Sequence, residues 1–388
     1  MDDTVVIGEG GFGCVFSKPL KCKNKRDKTM KVPGSNVSKL MLKRHALTEY
    51  DISMRIYEVV KSIPNHSKYF ILDDMSICEP YQIPHSLRKE MKKCKYLLKK
   101  YDIDGFNERI LMGEILQLNI PYGGNSLIEL WDRMIFSSFA RNKKLHQEFC
   151  SAIDGIVALI EKAVIPMNKM GVYHNDIKSD NVLYNYNADT DKSEYRIIDW
   201  GLSVISTPSK IIDTGKPPFQ WNFPLIGPFM LSGLYEDIRT LSTSCKGKNA
   251  KDVSGLLESY MVNISGHIDY IESNILPILE NSPSSDLKIG DILSNNIDKY
   301  IDVYGTSKSR KYEFIENVLS YNIDIIGIIS IFINLLMSNY NTGTSGRRHP
   351  IFNHLKKILW KYIYSGEYVT IAIPISTLIM DLNNMKYM

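Results

Sequence analysis

The chain has 388 residues and six cysteines, at positions 14, 22, 78, 94, 150 and 245, yet it contains no C-x-x-C pair and no cysteines set at metal-ligand spacing beside paired histidines. Neither a zinc site nor a disulfide framework is therefore expected, and the cysteines read as reduced thiols of an intracellular protein. There is also little excess charge: 47 Lys and Arg face 43 Asp and Glu, for a formal net charge of +4, so nucleic acid is not demanded as a partner. Long apolar runs are missing too. The most apolar window, Ile323 to Met337, falls short of the roughly 20 residues that span a bilayer and contains Asp324 and Asn334. A buried helix is expected there, and no transmembrane segment. The start, MDDTVVIGEGG, is acidic and only briefly apolar, unlike a signal peptide. What is present is an ordinary 44% hydrophobic content, enough for one large core or two lobes.

The residues that carry chemistry concentrate between His174 and Gly201, HNDIKSDNVLYNYNADTDKSEYRIIDWG. A polar cluster ending at Asn181 leads into apolar Val182 and Leu183, then a polar turn, then a strand-like run that stops on Asp199. Phosphoryl transfer needs a carboxylate to orient the attacking hydroxyl, a cation near the migrating group, and carboxylate and amide oxygens for magnesium. Asp176, Lys178, Asn181 and Asp199 supply these in one short span.

Upstream, residues 4–16 read as a hairpin with a glycine tip. Gly8, Gly10, Gly13 and Val15 fit Gly-x-Gly-x-x-Gly-x-Val, a pattern that lets backbone N–H groups approach phosphates. A strand, not a helix, follows the glycines, which argues against a dinucleotide-binding turn; a glycine hairpin without ligand is the plainer alternative. Lys31, flanked by Met30 and Val32, is preferred over Lys25 and Lys28 as a phosphate-facing lysine on a second strand. Residues 36–62 space their apolar side chains as a helix, with Glu49 upon it either pairing with that lysine or simply exposed. SLRKEMKKCKYLLKKY, within 79–101, reads as a basic helix, either solvated or docking an acidic surface. A strand over 108–120 runs into Pro121 and Gly123-Gly124, and an amphipathic helix over 145–170, interrupted near Pro166, delivers the chain to His174.

Together these residues resemble the eukaryotic-type serine/threonine protein kinases. The resemblance implies an α+β, bilobal protein-kinase-like fold, with a small β-rich lobe over 1–121 and a large, mainly helical lobe over 122–388. It implies ATP with Mg²⁺ or Mn²⁺ as cofactors, bound between the lobes, and a protein substrate phosphorylated on serine or threonine. Ile7, Gly8, Gly10, Gly11, Gly13 and Val15 would cover the nucleotide, Lys31 would contact its α- and β-phosphates, and Glu49 would hold that lysine. Asn119 and Ile120 would form the adenine-binding hinge, with Leu118 guarding a deeper pocket. Asp176 would orient the acceptor hydroxyl, Lys178 would steady the phosphoryl group, and Asn181 and Asp199 would hold the metal. His174 would brace the loop, and Asp324 would cap its backbone.

The chain departs from the family in several places. Asn175 replaces the usual Arg, which removes the partner of a phosphorylated activation loop. Trp200 replaces Phe after Asp199. No Ala-Pro-Glu follows, and Arg347 or Arg348 could complete the ion pair that its Glu would have made. Ser203, Ser206, Thr207, Ser209 and Thr214 lie where an activation loop belongs, and 234–320 is a long helical insert. This divergence is similar to that of kinases of large DNA viruses, which implies a host-cytoplasmic or virion location. A pseudokinase that binds nucleotide or partner, and a kinase of small molecules, are the competing readings; no feature speaks to oligomeric state.

Overall fold

A computed structural model describes residues 4–10, 13–23, 36–99, 102–187, 192–206, 220–231, 235–237, 239–240, 266–280, 287–343 and 347–388. The chain divides into two compact units, Met1–Gly124 with Ile198–Gly201, and Asn125–Ile197 with Leu202–Met388. The expected α+β class is the one observed, with one unit built on an antiparallel sheet and the other mainly helical. Residues 198–201, expected in the large lobe, group with the small one.

The first unit is built on an antiparallel sheet in the order β1-β2-β3-β5-β4. Strands β1 (Val6–Gly10) and β2 (Gly13–Phe16) form the expected hairpin, closed by the Gly10 and Gly13 pair. A Cβ on Gly13 would lie 2.5 Å from the Leu40 carbonyl oxygen, so glycine is required there by the close approach of β3. Strand β3 (Asn36–Leu42) corrects the sequence reading, which began a helix at 36. Its backbone pairs with β2 on one side and β5 (Ile115–Pro121) on the other, and a run buried on both faces mimics helical apolar spacing. Helix α1 (Lys43–Val60) starts only afterwards and turns Ala46, Glu49, Ser53, Ile56 and Val60 inward at three- and four-residue intervals. The strand expected from 108 is also corrected: α2 (Ile103–Leu111) takes its first residues, and β5 begins at Ile115.

The basic segment 85–98 is not one helix but a series of short turns, and it is packed rather than solvated. Leu87, Met91, Cys94 and Leu97 join Cys14, Phe16, Leu40 and Phe106 in the core of this unit. Disulfides Cys14–Cys94 and Cys22–Cys78 overturn the reading of these thiols as reduced. Their partners are 80 and 56 residues apart, so no local spacing rule could pair them. Strand β4 (Ser76–Cys78) lies against β5. Between them and the 17–23 segment the buried Gln117 amide is fully engaged: it accepts from Leu20 N at 3.1 Å and donates to Leu20 O at 3.0 Å and Asn119 Oδ1 at 2.7 Å.

The second unit is mainly helical. Helix α3 (Lys143–Leu159) continues through a widened π turn at Ile160–Val164 into Ile165–Lys169. The proline anticipated as an interruption, Pro166, lacks the N–H that a regular turn would use, and the wide turn directly precedes it. A short strand β6 (Asn125–Ser126) pairs with β8 (Val182–Asn187), which forms a hairpin with β9 (Lys192–Ile197), while β7 (Val172–Tyr173) pairs with β10 (Val204–Ile205). Helices α4 (Ser320–Ser330) and α5 (Phe332–Asn341) belong to a helical stretch, Lys308–Asn341, long and apolar enough by composition to cross a membrane. Its most apolar window is 89% buried inside the protein, so this is a core element, as the sequence implied. Arg347 does not complete a buried ion pair: it is exposed, covers the Tyr340 ring and donates to the Tyr340 carbonyl, and Arg348 is exposed as well.

Candidate active site

In the second unit the loop from His174 to Asn181 joins β7 to β8 and is held from beneath by α4. The Asp324 carboxylate accepts from the backbone N–H groups of His174 at 2.9 Å and Asn175 at 3.0 Å. Burial pushes the Asp324 carboxyl up, against the opposing effect of His174 and of these N–H donors. Gly327, one helical turn on, has no room for a side chain, since a Cβ would lie 2.9 Å from the Ile177 Cβ. Asn175 sits in the left-handed region with φ of 63°, which asparagine tolerates better than most residues. Its amide donates to the Leu202 carbonyl at 3.2 Å, which ties the loop to the backbone after Gly201. His174 is fully buried: its Nδ1 accepts from Asp176 N at 3.3 Å and its carbonyl accepts from Ser203 Oγ at 3.2 Å. These contacts suit a brace, and they commit the Ser203 hydroxyl. Thr207, Ser209 and Thr214 lie outside the described residues.

The Asp176 carboxylate is the centre of this loop. Lys178 Nζ donates to its two oxygens at 2.8 and 3.1 Å. Asn181 Nδ2 donates to its backbone carbonyl at 2.8 Å and to Oδ2 at 3.1 Å. A third side chain, Asn222, reaches in from far along the sequence, donating to Asp176 Oδ1 at 2.8 Å and to the Ile177 carbonyl at 3.2 Å. Sequence reading missed Asn222, because it stands in a proline- and aromatic-rich stretch that matches no motif.

In the first unit, the lysine that meets Glu49 is Lys39, in the middle of β3. Its Nζ lies 2.9 and 2.8 Å from the Glu49 carboxylate oxygens and 3.5 Å from Asp199 Oδ1. Burial opposes the Lys39 charge, but Asp199 and Glu49 outweigh it and hold its pKa above the ordinary lysine value. Lys31, the lysine chosen from spacing, lies outside the described residues, as does Gly11. Asp199 also lies in the left-handed region, with a φ of 64°, which aspartate adopts more readily than most residues. Trp200 fills an apolar slot as anticipated, buried edge-on against Phe70 at 5.6 Å between ring centroids.

The remaining nucleotide-site candidates take varied positions. Gly8, Gly10 and Val15 lie in the β1–β2 hairpin with Ile7, which is half exposed. A Cβ on Gly8 would meet only Val15, at 3.8 Å, so glycine at position 8 is not forced by packing. The expected hinge residues Asn119 and Ile120 lie within β5, paired with Ser38 and Val37 of β3. The Asn119 side chain is buried and donates to Ser76 Oγ at 3.2 Å, and Leu118 is fully buried.

Each residue, taken in its own unit, has donor chemistry that magnesium accepts: the Asn181 nitrogen is spent on Asp176, which leaves its carbonyl oxygen as the atom to face a cation, and Asp199 carries a carboxylate. Among the described residues no group of three or more His, Cys, Asp or Glu side chains could make an all-protein cage. Magnesium is held instead by a few carboxylate or amide oxygens together with phosphates and water.

No protein-family model matches the chain, and no curated protein matches it. Among solved structures, the crystal structure of the PF14_0431 kinase domain is similar over 90% of this chain and 94% of its own length, at 14% identity and a TM-score of 0.33.

Proposed function

We propose that this protein transfers the γ-phosphoryl group of ATP to serine or threonine hydroxyls of protein substrates. The observation that carries the reading is the arrangement on Asp176, a carboxylate oriented by Lys178, Asn181 and Asn222 within one braced loop. In the proposed reaction Asp176 orients the acceptor hydroxyl and takes its proton as the new oxygen–phosphorus bond forms. The bond from the γ-phosphorus to its bridging oxygen breaks, and ADP leaves. Lys178 offsets the charge spread over the transferred oxygens. Lys39, kept charged and aimed by Glu49, meets the α- and β-phosphates, while the glycine hairpin supplies backbone N–H groups. Asn181 and Asp199 would hold magnesium, which when bound neutralises phosphate charge. The preference for serine and threonine rests on Lys178 standing two places after Asp176, as in the kinases this loop resembles.

The test is transfer of labelled γ-phosphate to casein, to myelin basic protein, to the protein itself and to a panel of small hydroxyl and amino compounds. Transfer to serine or threonine of protein, lost in Asp176→Ala and Asp199→Ala, is expected. Transfer to a small molecule alone would replace this reading with a metabolite kinase. Nucleotide binding with no transfer to any acceptor would replace it with a pseudokinase.

A further inference from the structure

The long insert contributes more than bulk to the second unit. Its segment 266–280 is anchored in the core by Ile271, Ile275, Leu276 and Ile278, and its Glu272 carboxylate accepts from Ile289 N at 3.0 Å. The leading end of this segment returns to the catalytic loop. The ring of His267 lies against that of Trp221, with 6.3 Å between centroids, and Trp221 directly precedes Asn222, which holds Asp176. Next to it, Tyr270 is exposed, packs edge-on to His267 at 6.4 Å, and its hydroxyl meets Met337 Sδ of α5 at 3.1 Å. Asn222 has one further property: its Oδ1 is buried and has no partner among the described residues, although its nitrogen is doubly engaged. An acceptor left unsatisfied beside the catalytic carboxylate costs free energy unless a ligand donor completes it.

We infer that the insert builds one wall of the phospho-acceptor site, with His267 on Trp221 as a specificity-determining residue that packs against the substrate residue next to the acceptor hydroxyl. Asn222 is the positioning residue of the same wall: its nitrogen aims Asp176, and its Oδ1 takes a hydrogen bond from a substrate backbone N–H. The wall is aromatic and carries no formal charge while His267 is neutral, so it selects an apolar or aromatic neighbour over a charged one. Partial burial and the nearby Lys178 ammonium both hold the imidazole below its ordinary pKa, with Asp176 opposing, which keeps His267 neutral near pH 7. This inference rests on the kinase reading, and the experiment separates the two.

Wild type and His267→Ala are compared on a positional peptide library in which the residues flanking serine are varied, with KM for peptide and for ATP measured separately. In parallel, the His267 resonance is titrated by NMR in wild type and in Lys178→Met. Removal of one aromatic-type contact predicts a rise of about 3- to 10-fold in peptide KM for the preferred apolar-flanked sequence, a flattened flanking preference and an unchanged ATP KM. The Lys178→Met change is expected to move the His267 titration upward. Wild-type transfer with the same peptide preference and KM in His267→Ala would overturn the inference while leaving the kinase reading intact. A His267 titration unmoved by Lys178→Met would overturn it as well, by removing the insert from the loop. Absence of transfer by wild type would sink the kinase reading and the acceptor wall with it, even if the titration moves as expected.

Discussion

Replacing Lys39 tests the buried ion pair that it makes with Glu49. Lys39 and Glu49 are 7% and 6% exposed, so their ion pair falls in the buried regime rather than among surface pairs, which contribute about 0–1 kcal/mol. Removing one member of a buried pair strands the other charge and costs about 3–5 kcal/mol. Lys39→Met is therefore expected to lower urea stability by about that much and to abolish the rise in melting temperature that ATP produces in wild type. Lys39→Met/Glu49→Leu should recover most of the stability, to within about 1 kcal/mol of wild type, because no buried charge is left alone; nucleotide binding should stay lost. The pair also sets a pH expectation. A lysine whose folded pKa is raised contributes stability that is fully present below its unfolded value of 10.5 and is lost as pH rises through the folded value. The difference between wild type and the double variant should thus hold constant from pH 7 to 9 and shrink only in strong alkali. The reasoning is refuted if Lys39→Met unfolds and binds ATP like wild type, or if Lys31→Met loses nucleotide binding while Lys39→Met keeps it.

Other expectations follow from particular contacts. Reduction of Cys14–Cys94 and Cys22–Cys78, which close long nested loops, should lower the stability of the first unit by about 2–5 kcal/mol, measured as the urea midpoint with and without reductant. Gly13→Ala should cost about 1–3 kcal/mol because its Cβ would run into Leu40 and Met41. Gly8→Ala should leave urea stability within about 0.5 kcal/mol of wild type and change only nucleotide affinity, as its Cβ meets nothing closer than 3.8 Å. Asp324→Ala, which strips the His174 and Asn175 N–H groups of their acceptor in a buried place, should cost about 1–3 kcal/mol by the same unfolding measurement and lower kcat more than it raises KM.

The parts of the site that were legible in the sequence are those whose chemistry is contiguous. Within the loop from His174 to Asn181, Lys178 and Asn181 both meet Asp176, so spacing alone marks that group. Lys39 was not legible by that route. The buried run Ser38 to Met41 has no strict alternation because both faces are covered, and it merges with the helical pattern of α1, which hides the strand and its lysine. The role of Asp324 was legible only through the resemblance to protein kinases, and its carboxylate does accept from the His174 and Asn175 N–H groups. The disulfides, Asn222 and His267 all depend on contacts between residues far apart in sequence, and no local periodicity encodes such contacts. Gly13 shows a different limit: the motif marks it as a phosphate-loop glycine, whereas the structure requires it first for the packing of β2 on β3.

The central claim is that Asp176 is the base of a phosphoryl transfer, and single-turnover kinetics address it most directly. Wild type and Asp176→Asn, each saturated with ATP and a serine peptide, are quenched at short times, and nucleotide affinity is measured in the same samples. Wild-type nucleotide affinity with transfer slowed by about 10²–10⁴-fold in the variant is the predicted result. Transfer at the wild-type rate by Asp176→Asn would contradict it.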